Sequence, residues 1–199
     1  MIAITLPDGS VKQFDTGTTP MGVAISISEG FARNVISASF NDITIESSTP
    51  LTEDGHLILY TWRDKKGKQA FWHSSAHIMA QALEEKFPGV KLTIGPAIEN
   101  GFYYDIDLVE NTISDKDLKS IEDKMLEIAR GKHEFTLRES SKADALEYYK
   151  KQGNQYKVAL IENLEDGTIT FCDHDSFTDL CRGGHIPNTG IVKAIKLMS

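Results

Sequence analysis

The sequence has few cysteines and no long apolar run, and each shortage excludes a class of protein. Two cysteines, Cys172 and Cys181, are too few for a disulfide framework in 199 residues and fit a reducing cytoplasm. No run approaches the ~20 apolar residues that span a bilayer. The N-terminus, MIAITLPDGS, lacks the basic and apolar segments of a secretory signal. We therefore expect a cytoplasmic globular protein with no membrane partner.

Positive charge is also scarce. The chain has 21 lysines and arginines against 29 aspartates and glutamates, a formal net charge of −8. This balance disfavours a protein that holds nucleic acid through a bulk positive field. A nucleic-acid role must therefore rest on local contacts or on a larger assembly. The length leaves room for one large domain or two small ones with real cores.

Residues 1–62 are predicted to form one small domain. Alternating segments flank the turn signal at residues 7–10 in IAITLPDGSVKQF, which predicts a β-hairpin. A helix should follow, with a threonine N-cap, Pro20 in its first turn and Gly30 as a break point. The runs ASFNDITIESS and GHLILYTW are typical of strands. The pattern predicts a small α+β domain with one helix across a sheet.

Residues 63–199 are predicted to form a larger α+β domain in which a long helix packs on an antiparallel sheet. RDKKGKQ is interpreted as a linker, or alternatively as the start of that helix, which should end near Phe87. Helices are also expected at about 114–131, with a capping box, and at 141–152. A hairpin at 91–108 and strands in YKVALIENL and GTITFCDHDSF should form the sheet. TDLCRGGHIPNTG is expected to be an irregular loop.

The first candidate site residues are His73 and His77 in FWHSSAHIMAQALEEKF. Residues four apart project from the same face of a helix, so two imidazoles can share a metal or line one cleft. Helices also carry such pairs by chance. The glutamate that activates water in a metalloprotease helix is absent, because Ser74 stands in its place.

A second cluster, TDLCRGGH, brings together Asp179, Cys181 and His185. Its two glycines disfavour a helix and let the backbone curl towards a ligand. Cys181 and His185 could be metal ligands. Alternatively, Cys181 could be a small buried core residue and His185 a surface loop residue. The donors that zinc accepts would then come from both clusters: His73, His77, Cys181 and His185.

Other polar residues carry weaker signals. Lys157 interrupts an apolar run, where it is expected to face outward from a strand. Tyr103 and Tyr104 are placed on a strand, so one should face inward and one outward. Cys172 is expected in the core and His174 at the solvent face.

Four segments in order resemble the editing region of bacterial-type threonyl-tRNA synthetases: FWHSSAH, IGPAIENGFYYDID, QYKVAL and TDLCRGGHIPNT. The HxxxH and CxxxH pairs also occur in the alanyl-tRNA synthetase editing domain. The residues headed by ITLPDGSVKQF resemble the ubiquitin-like TGS domain of threonyl-tRNA synthetases, which favours the threonyl family. The resemblance covers the whole chain and implies a β-grasp TGS domain at 1–62 and an editing domain at 63–199.

The resemblance implies hydrolysis of serine mischarged on tRNA(Thr), and it assigns a task to each candidate residue. His73 would position or deprotonate water, Lys157 would steady negative charge, and Asp179 would pair with the substrate amino group. Cys181 would shape the pocket against the methyl group of threonine. The terminal adenosine and the water would be held by His77 and His185, and Tyr104 would line the pocket.

Two residues depart from the family pattern, because Gly184 stands where proline is common and Ser75 where cysteine is frequent. Gly184 is expected to loosen the loop without removing a functional side chain. No aminoacylation core is recognisable, so a fragment of a longer synthetase or a free-standing editing protein is expected. Editing itself would need no cofactor, whereas a whole synthetase would use ATP, magnesium and zinc in its core and form a homodimer. The alternatives are a zinc hydrolase and a non-catalytic TGS-type RNA-binding module.

Overall fold

The computed structural model describes residues 1–110 and 112–198. Two compact units make up the chain. The first consists of Met1–Phe71 together with Gly183–Pro187, and the second of Trp72–Arg182 together with Asn188–Ser199. The boundary predicted at 62/63 thus differs from this division, and the predicted second domain ends at Ser199, which lies outside the described residues. Among the described residues, no helix is long and apolar enough to cross a bilayer.

The first unit is a five-stranded sheet with two helices in one connection. The strand order is β2-β1-β5-β3-β4, with β1 and β5 parallel and the other neighbours antiparallel. Its elements are β1 (Ile2–Thr5), β2 (Val11–Phe14), α1 (Pro20–Ile27), α2 (Glu29–Ala32), β3 (Ser37–Phe40), β4 (Ile43–Ile45) and β5 (Gly55–Tyr60).

Local signals explain the elements of the first unit. The predicted hairpin is confirmed as β1–β2, and Gly9 adopts a φ of 83° in its turn. The Thr19 side chain accepts a hydrogen bond from Gly22 N at the start of α1, as predicted. Helix α1 ends before Ser28, which caps α2, so the break lies at Ser28 and not at the predicted Gly30. Buried apolar residues of the strands and of α1 then form one core.

The second unit is built around α3, a 22-residue helix that begins in the first unit. A three-stranded antiparallel sheet, β10-β11-β12, and two short hairpin-like pairs, β6-β9 and β7-β8, accompany it. Its elements are α3 (Lys65–Lys86), β6 (Lys91–Leu92), β7 (Ala97–Ile98), β8 (Gly101–Phe102), β9 (Ile106–Asp107), α4 (Asp115–Arg130), β10 (Thr136–Glu139), α5 (Lys142–Lys151), α6 (Gln155–Glu162), β11 (Thr170–His174) and β12 (Phe177–Leu180), followed by a 3-10 turn at Thr189–Ile191.

The predicted α+β class is confirmed, and α3 packs on the sheet through Ala80 and Phe177, which share a core cluster. The capping box of α4 forms between Ser114 and Asp117 as expected. The linker interpretation of residues 63–69 is wrong and the alternative is confirmed, because α3 already begins at Lys65. A side chain on Gly67 would collide with the Thr61 carbonyl, so this glycine reflects close packing rather than a flexible segment.

Three further predictions are corrected. QYKVALIE is a helix, α6, rather than a strand, and its cap Asn154 accepts from Lys157 N. Tyr103 and Tyr104 lie in the connection between β8 and β9, not on a strand. His174 on β11 is buried instead of facing solvent, whereas Cys172 lies in the core as predicted.

Candidate functional site

Helix α3 places His73 and His77 one turn apart, as the sequence predicted. Their ring centroids are 4.7 Å apart, in an edge-to-face arrangement. His77 is buried, and the intervening Ser74 and Ser75 are buried as well. The His77 imidazole therefore lies inside the second unit, whereas His73 is half-buried.

Strand β12 supplies Asp179, and Cys181 follows directly after its end. Asp179 is therefore a strand residue, whereas the sequence placed it in an irregular loop. Residues two apart on an extended chain face the same side, and Cys181 N continues the sheet by donating to Thr170 O. The Cys181 sulfur lies 3.0 Å from His73 Nε2, a hydrogen-bond contact between residues 108 positions apart.

Three potential metal donors meet here. One donor atom from each of His73, His77 and Cys181 lies within 4.8 Å of the others. Nitrogen and sulfur donors of this kind suit zinc, which needs the cysteine as thiolate. Two such ligands around a tetrahedral zinc would be roughly 3.5 Å apart, so the 3.0 Å contact is a hydrogen bond that would lengthen on metal binding. Two imidazole nitrogens and one cysteine sulfur are thus a set of ligands that zinc accepts.

Asp179 is the centre of a buried polar cluster. Lys157 Nζ donates to its Oδ1 at 2.5 Å, and Tyr104 OH donates to its Oδ2 at 2.5 Å. Tyr149 OH also donates to Oδ1, at 3.2 Å. His77 Nδ1 lies 3.6 Å from Oδ2. The carboxylate thus receives one ammonium and two phenols while almost wholly removed from water, which offsets the cost of burying its charge.

The position of Lys157 depends on α6, the helix that replaces the predicted strand. Asn154 caps α6 and also donates from Nδ2 to Leu92 O, which fixes the first turn against β6. Lys157 lies in that turn, and its side chain is only 3% exposed. A lysine this deeply buried needs an anion beside it, and Asp179 provides it.

Tyr104 reaches Asp179 because Gly95 leaves room for its ring. A side chain at Gly95 would overlap the Tyr104 ring. Burial, followed by the nearby charge of Asp179, raises the pKa of Tyr104 well above its usual 10.0. The phenol therefore stays protonated at neutral pH, where it acts as a hydrogen-bond donor and not as a base.

Tyr149 on α5 was not singled out by the sequence. Its OH donates to Asp179 and accepts from Leu180 N at 2.8 Å, so it ties α5 to β12. Burial is the main cause that raises the pKa of Tyr149, so it too remains a donor. Its only sequence signal is an aromatic residue on the buried face of an amphipathic helix, which is typical of a core residue.

A second carboxylate near the cluster, Glu84 on α3, was also missed. Burial of its carboxyl, with repulsion from Asp179 as the second cause, raises the pKa of Glu84 from 4.5 to about 7. The ammonium of Lys157 acts in the opposite direction and more weakly. Glu84 as a whole residue is exposed, so solvent screens much of this repulsion.

His185 belongs to the first unit, not to the unit that holds the other six candidates. Its Nδ1 lies 2.8 Å from Glu46 Oε1, and both side chains are buried. Gly184, which the sequence analysis expected to loosen the loop, has a φ of 88° and donates from its backbone N to Glu46. Proline could neither adopt that angle nor donate that bond, so Gly184 fixes this loop conformation instead of loosening it.

Comparison with known proteins gives two domain matches. Residues 2–61 match the TGS domain, and residues 169–199 match the threonyl and alanyl tRNA synthetase second additional domain. The second match covers β11, β12 and the segment that contains Asp179, Cys181 and His185.

Relatives cover all of the chain. It is 69% identical over 199 residues to the threonine–tRNA ligase of Flavobacterium johnsoniae, 52% to that of Cytophaga hutchinsonii and 51% to that of Parabacteroides distasonis. The alignments include 100% of this chain but only 30–31% of each relative. The chain is therefore homologous, over its whole length, to slightly less than a third of these threonine–tRNA ligases.

Proposed function

We propose that this chain hydrolyses the ester of serine mischarged on tRNA(Thr). The observation that supports it best is the contact of His73 with Cys181 beside the Lys157–Asp179 pair. A base, a cation and a carboxylate then lie on neighbouring buried elements. Ester hydrolysis requires an activated water and stabilisation of the oxyanion that forms at the carbonyl.

His73 and Lys157 carry the chemical step in this proposal. His73 positions or deprotonates a water, directly or through a ribose hydroxyl. The water oxygen attacks the ester carbonyl, the carbon–oxygen bond to the ribose breaks, and the ribose oxygen takes a proton. Lys157 stabilises the developing oxyanion, since a cation held in a dry site is worth more than one in water.

Asp179, Cys181 and Tyr104 are assigned to substrate recognition. Asp179 pairs with the substrate ammonium through Oδ2, the oxygen that Tyr104 OH contacts. Cys181 limits the space available to a methyl group. A synthetic site built for threonine excludes serine by only ~1–3 kcal/mol, roughly 10–200-fold, because one methyl group separates them. A second hydrolytic site that admits serine restores fidelity.

His77 completes the proposal by helping to hold the terminal adenosine and the water; the same role for His185, a residue of the first unit, stays a prediction. The partner is tRNA(Thr), in particular its 3′-terminal aminoacylated adenosine. Editing uses no cofactor in this chain. The longer protein would ligate threonine to tRNA(Thr) with ATP and magnesium, hold zinc in a separate aminoacylation core and form a homodimer through that core.

Deacylation of seryl-tRNA(Thr) by the chain tests this function. The His73→Ala variant should hydrolyse the ester about 100-fold or more slowly than the parent, the lower end of typical general-base contributions. His56→Ala is the matched control, because His56 lies on β5 of the first unit and carries no role. Equal rates for His73→Ala and the parent would refute the assignment. Binding of tRNA without turnover would instead support a non-catalytic RNA-binding module.

A zinc hydrolase is the second candidate, supported by the three clustered donors. Zinc bound to His73, His77 and Cys181 would supply an activated water; the fourth predicted donor, His185, belongs to the first unit. Metal analysis of chelator-treated protein separates the two candidates. Full activity without zinc supports the metal-free proposal, whereas activity that requires one zinc per chain supports the rival.

A further inference from the structure

The first unit carries a cluster of exposed cations that the proposed function does not use. Four of the six residues at 63–68 are positively charged, in a chain whose formal net charge is −8. All four side chains belong to exposed residues: Arg63, Lys65, Lys66 and Lys68. This cluster, called the basic patch below, lies wholly within the first unit, where α3 begins.

Helix stability does not explain why the lysines of the basic patch lie here. Lys65, Lys66 and Lys68 occupy the first turn of α3, which contains no acidic residue. The N-terminal end of a helix carries a partial positive charge, so acidic side chains are stabilising there and cations are not. The lysines therefore oppose the helix dipole, and their charges add to it in one positive surface potential.

The backbone beneath the basic patch is held in place. The one acidic residue of the segment, Asp64, accepts at its Oδ2 from Thr61 N at 2.7 Å and from Thr61 Oγ1 at 3.0 Å. Gly67 packs so closely on the Thr61 carbonyl that a Cβ would collide with it. Because the start of α3 is fixed in this way, a ligand that binds the patch does not have to order the backbone.

Aromatic rings, and not carboxylates, lie beneath two of the lysines. Lys66 Nζ lies 5.3 Å from the centre of the Tyr60 ring, and Lys68 Nζ lies 5.9 Å from that of Trp62. Both distances are in the range of a cation–π interaction. A ring face holds the ammonium without neutralising it. In the part of the chain that the structure describes, no cation of the basic patch forms an ion pair.

Exposed lysines of the second unit are different in this respect. Three of them each contact a carboxylate within 3.1 Å: Lys119 with Asp123, Lys151 with Glu147 and Lys196 with Glu122. Their charges are partly neutralised within the protein. The basic patch instead leaves its charges available to an external anion.

We propose that the basic patch binds the phosphate backbone of tRNA(Thr). Lysine and arginine side chains that neutralise phosphates release condensed counterions, which is a local source of affinity even in an acidic protein. A lipid surface fits less well, because the exposed residues of α3 between 65 and 69 are all polar and offer no apolar face for insertion. The choice of tRNA rests on the proposed function, whereas the patch rests on the first unit alone.

Binding of uncharged tRNA(Thr) to the full chain over a series of salt concentrations tests the proposal. The triple variant Lys65→Gln, Lys66→Gln and Lys68→Gln should raise the Kd by about tenfold or more at low salt. The dependence of log Kd on log salt should become shallower by about 2 to 3, since each lost phosphate contact removes roughly 0.7–0.9 from the slope. Arginine at the same three positions keeps the charge and should keep the slope.

The matched control removes three paired lysines from the second unit by Lys119→Gln, Lys151→Gln and Lys196→Gln. Both triple variants change the net charge by the same amount. The control should bind tRNA(Thr) with the Kd and slope of the parent, because its lysines already contact carboxylates. Equal losses in the two triple variants would show that net charge alone governs binding, and would overturn the proposal.

Two further measurements make the remaining outcomes distinct. Vesicles of phosphatidylcholine and phosphatidylserine supply the rival polyanion. Binding to vesicles that depends on the patch, with tRNA binding that does not, overturns the proposal, as does a parent that binds no tRNA. Deacylation of seryl-tRNA(Thr) by the parent tests the proposed function separately. A parent that binds tRNA through the patch but hydrolyses no ester refutes the proposed function alone.

Discussion

Each of the two units buries one carboxylate against a candidate site residue, but different partners surround the two charges. Glu46 in the first unit is met by two backbone N–H groups and an imidazole. Asp179 in the second unit is met by an ammonium and two phenols. Both arrangements satisfy the oxygens, yet only the second also buries a permanent cation.

This difference decides what removal of each carboxylate leaves behind. Without Glu46, three dipolar donors lose their acceptor, at about 1–3 kcal/mol for each group left unsatisfied. Without Asp179, a charged lysine that is 3% exposed loses its counter-ion. An unpaired buried charge is costlier than an unpaired dipole. Loss of its carboxylate should therefore destabilise the second unit more than the first. Buried charges of this kind are typical of sites that require charge for chemistry.

The largest effect is expected when the Lys157–Asp179 pair is broken. Asp179→Asn should destabilise the chain by about 3–5 kcal/mol, because the ammonium stays buried without an anion. Glu46→Gln, which keeps one acceptor, should cost less, about 1–3 kcal/mol. Urea unfolding at pH 7, followed with a probe in each unit, measures both. A cost for Asp179→Asn no greater than that for Glu46→Gln would contradict the comparison.

A double variant supplies the control for this prediction. Lys157→Met with Asp179→Asn removes both charges and keeps a long apolar side chain in place of the lysine. The double variant should have a higher free energy of unfolding than Asp179→Asn alone, because it leaves no unpaired charge buried.

A smaller effect is expected at Tyr149. Tyr149→Phe removes the OH that donates to Asp179 and accepts from Leu180 N. The loss should be about 1 kcal/mol, because Leu180 N also lies 2.8 Å from Asp179 Oδ1 and keeps an acceptor. Thermal unfolding compared with Tyr103→Phe, at an exposed tyrosine of the same unit, isolates this contribution. A loss as large as that of Asp179→Asn would mean that the phenol, and not the ammonium, holds the carboxylate.

Local signals predicted much of the fold. The cap at Thr19 and the capping box at Ser114 are formed by neighbouring residues, so the sequence was sufficient there. Helix α6 was missed because valine and isoleucine in QYKVALIE favour a strand locally. The cap at Asn154 and the burial of Ile161 outweigh that preference, and burial depends on residues distant in the chain.

Less of the candidate site than of the fold could be predicted from the sequence. His73 and Cys181 meet across 108 positions, and no local pattern encodes that contact; only their shared donor chemistry and the family resemblance linked them. Lys157 was expected outside because lysines are rarely buried without a partner, and its partner Asp179 was assigned to a loop. Glu46 gave no signal, since its acceptor role depends on where residues 183–185 fold.

Glu84 offers the smallest effect, with a sign opposite to the others. The pKa of Glu84 is raised to about 7 from an ordinary 4.5, so the unfolded chain releases this proton at lower pH than the folded chain does. The folded state is therefore penalised as pH rises through that window, and the penalty persists above it. Glu84→Gln should be more stable than the parent above pH 7, by about 1 kcal/mol after allowance for its partial exposure, and no more stable below pH 4.5.

Chemical denaturation of Glu84→Gln and the parent between pH 4 and about 8 measures this difference. Repulsion from Asp179 is the second cause of the raised pKa. The gain should therefore shrink when Asp179→Asn is already present. A gain that does not change with pH would assign the effect to packing. A gain that is unchanged by Asp179→Asn would show that Lys157 fully compensates the charge of Asp179 at the distance of Glu84. The ammonium would then both stabilise the Asp179 carboxylate and cancel its repulsion of neighbouring carboxylates.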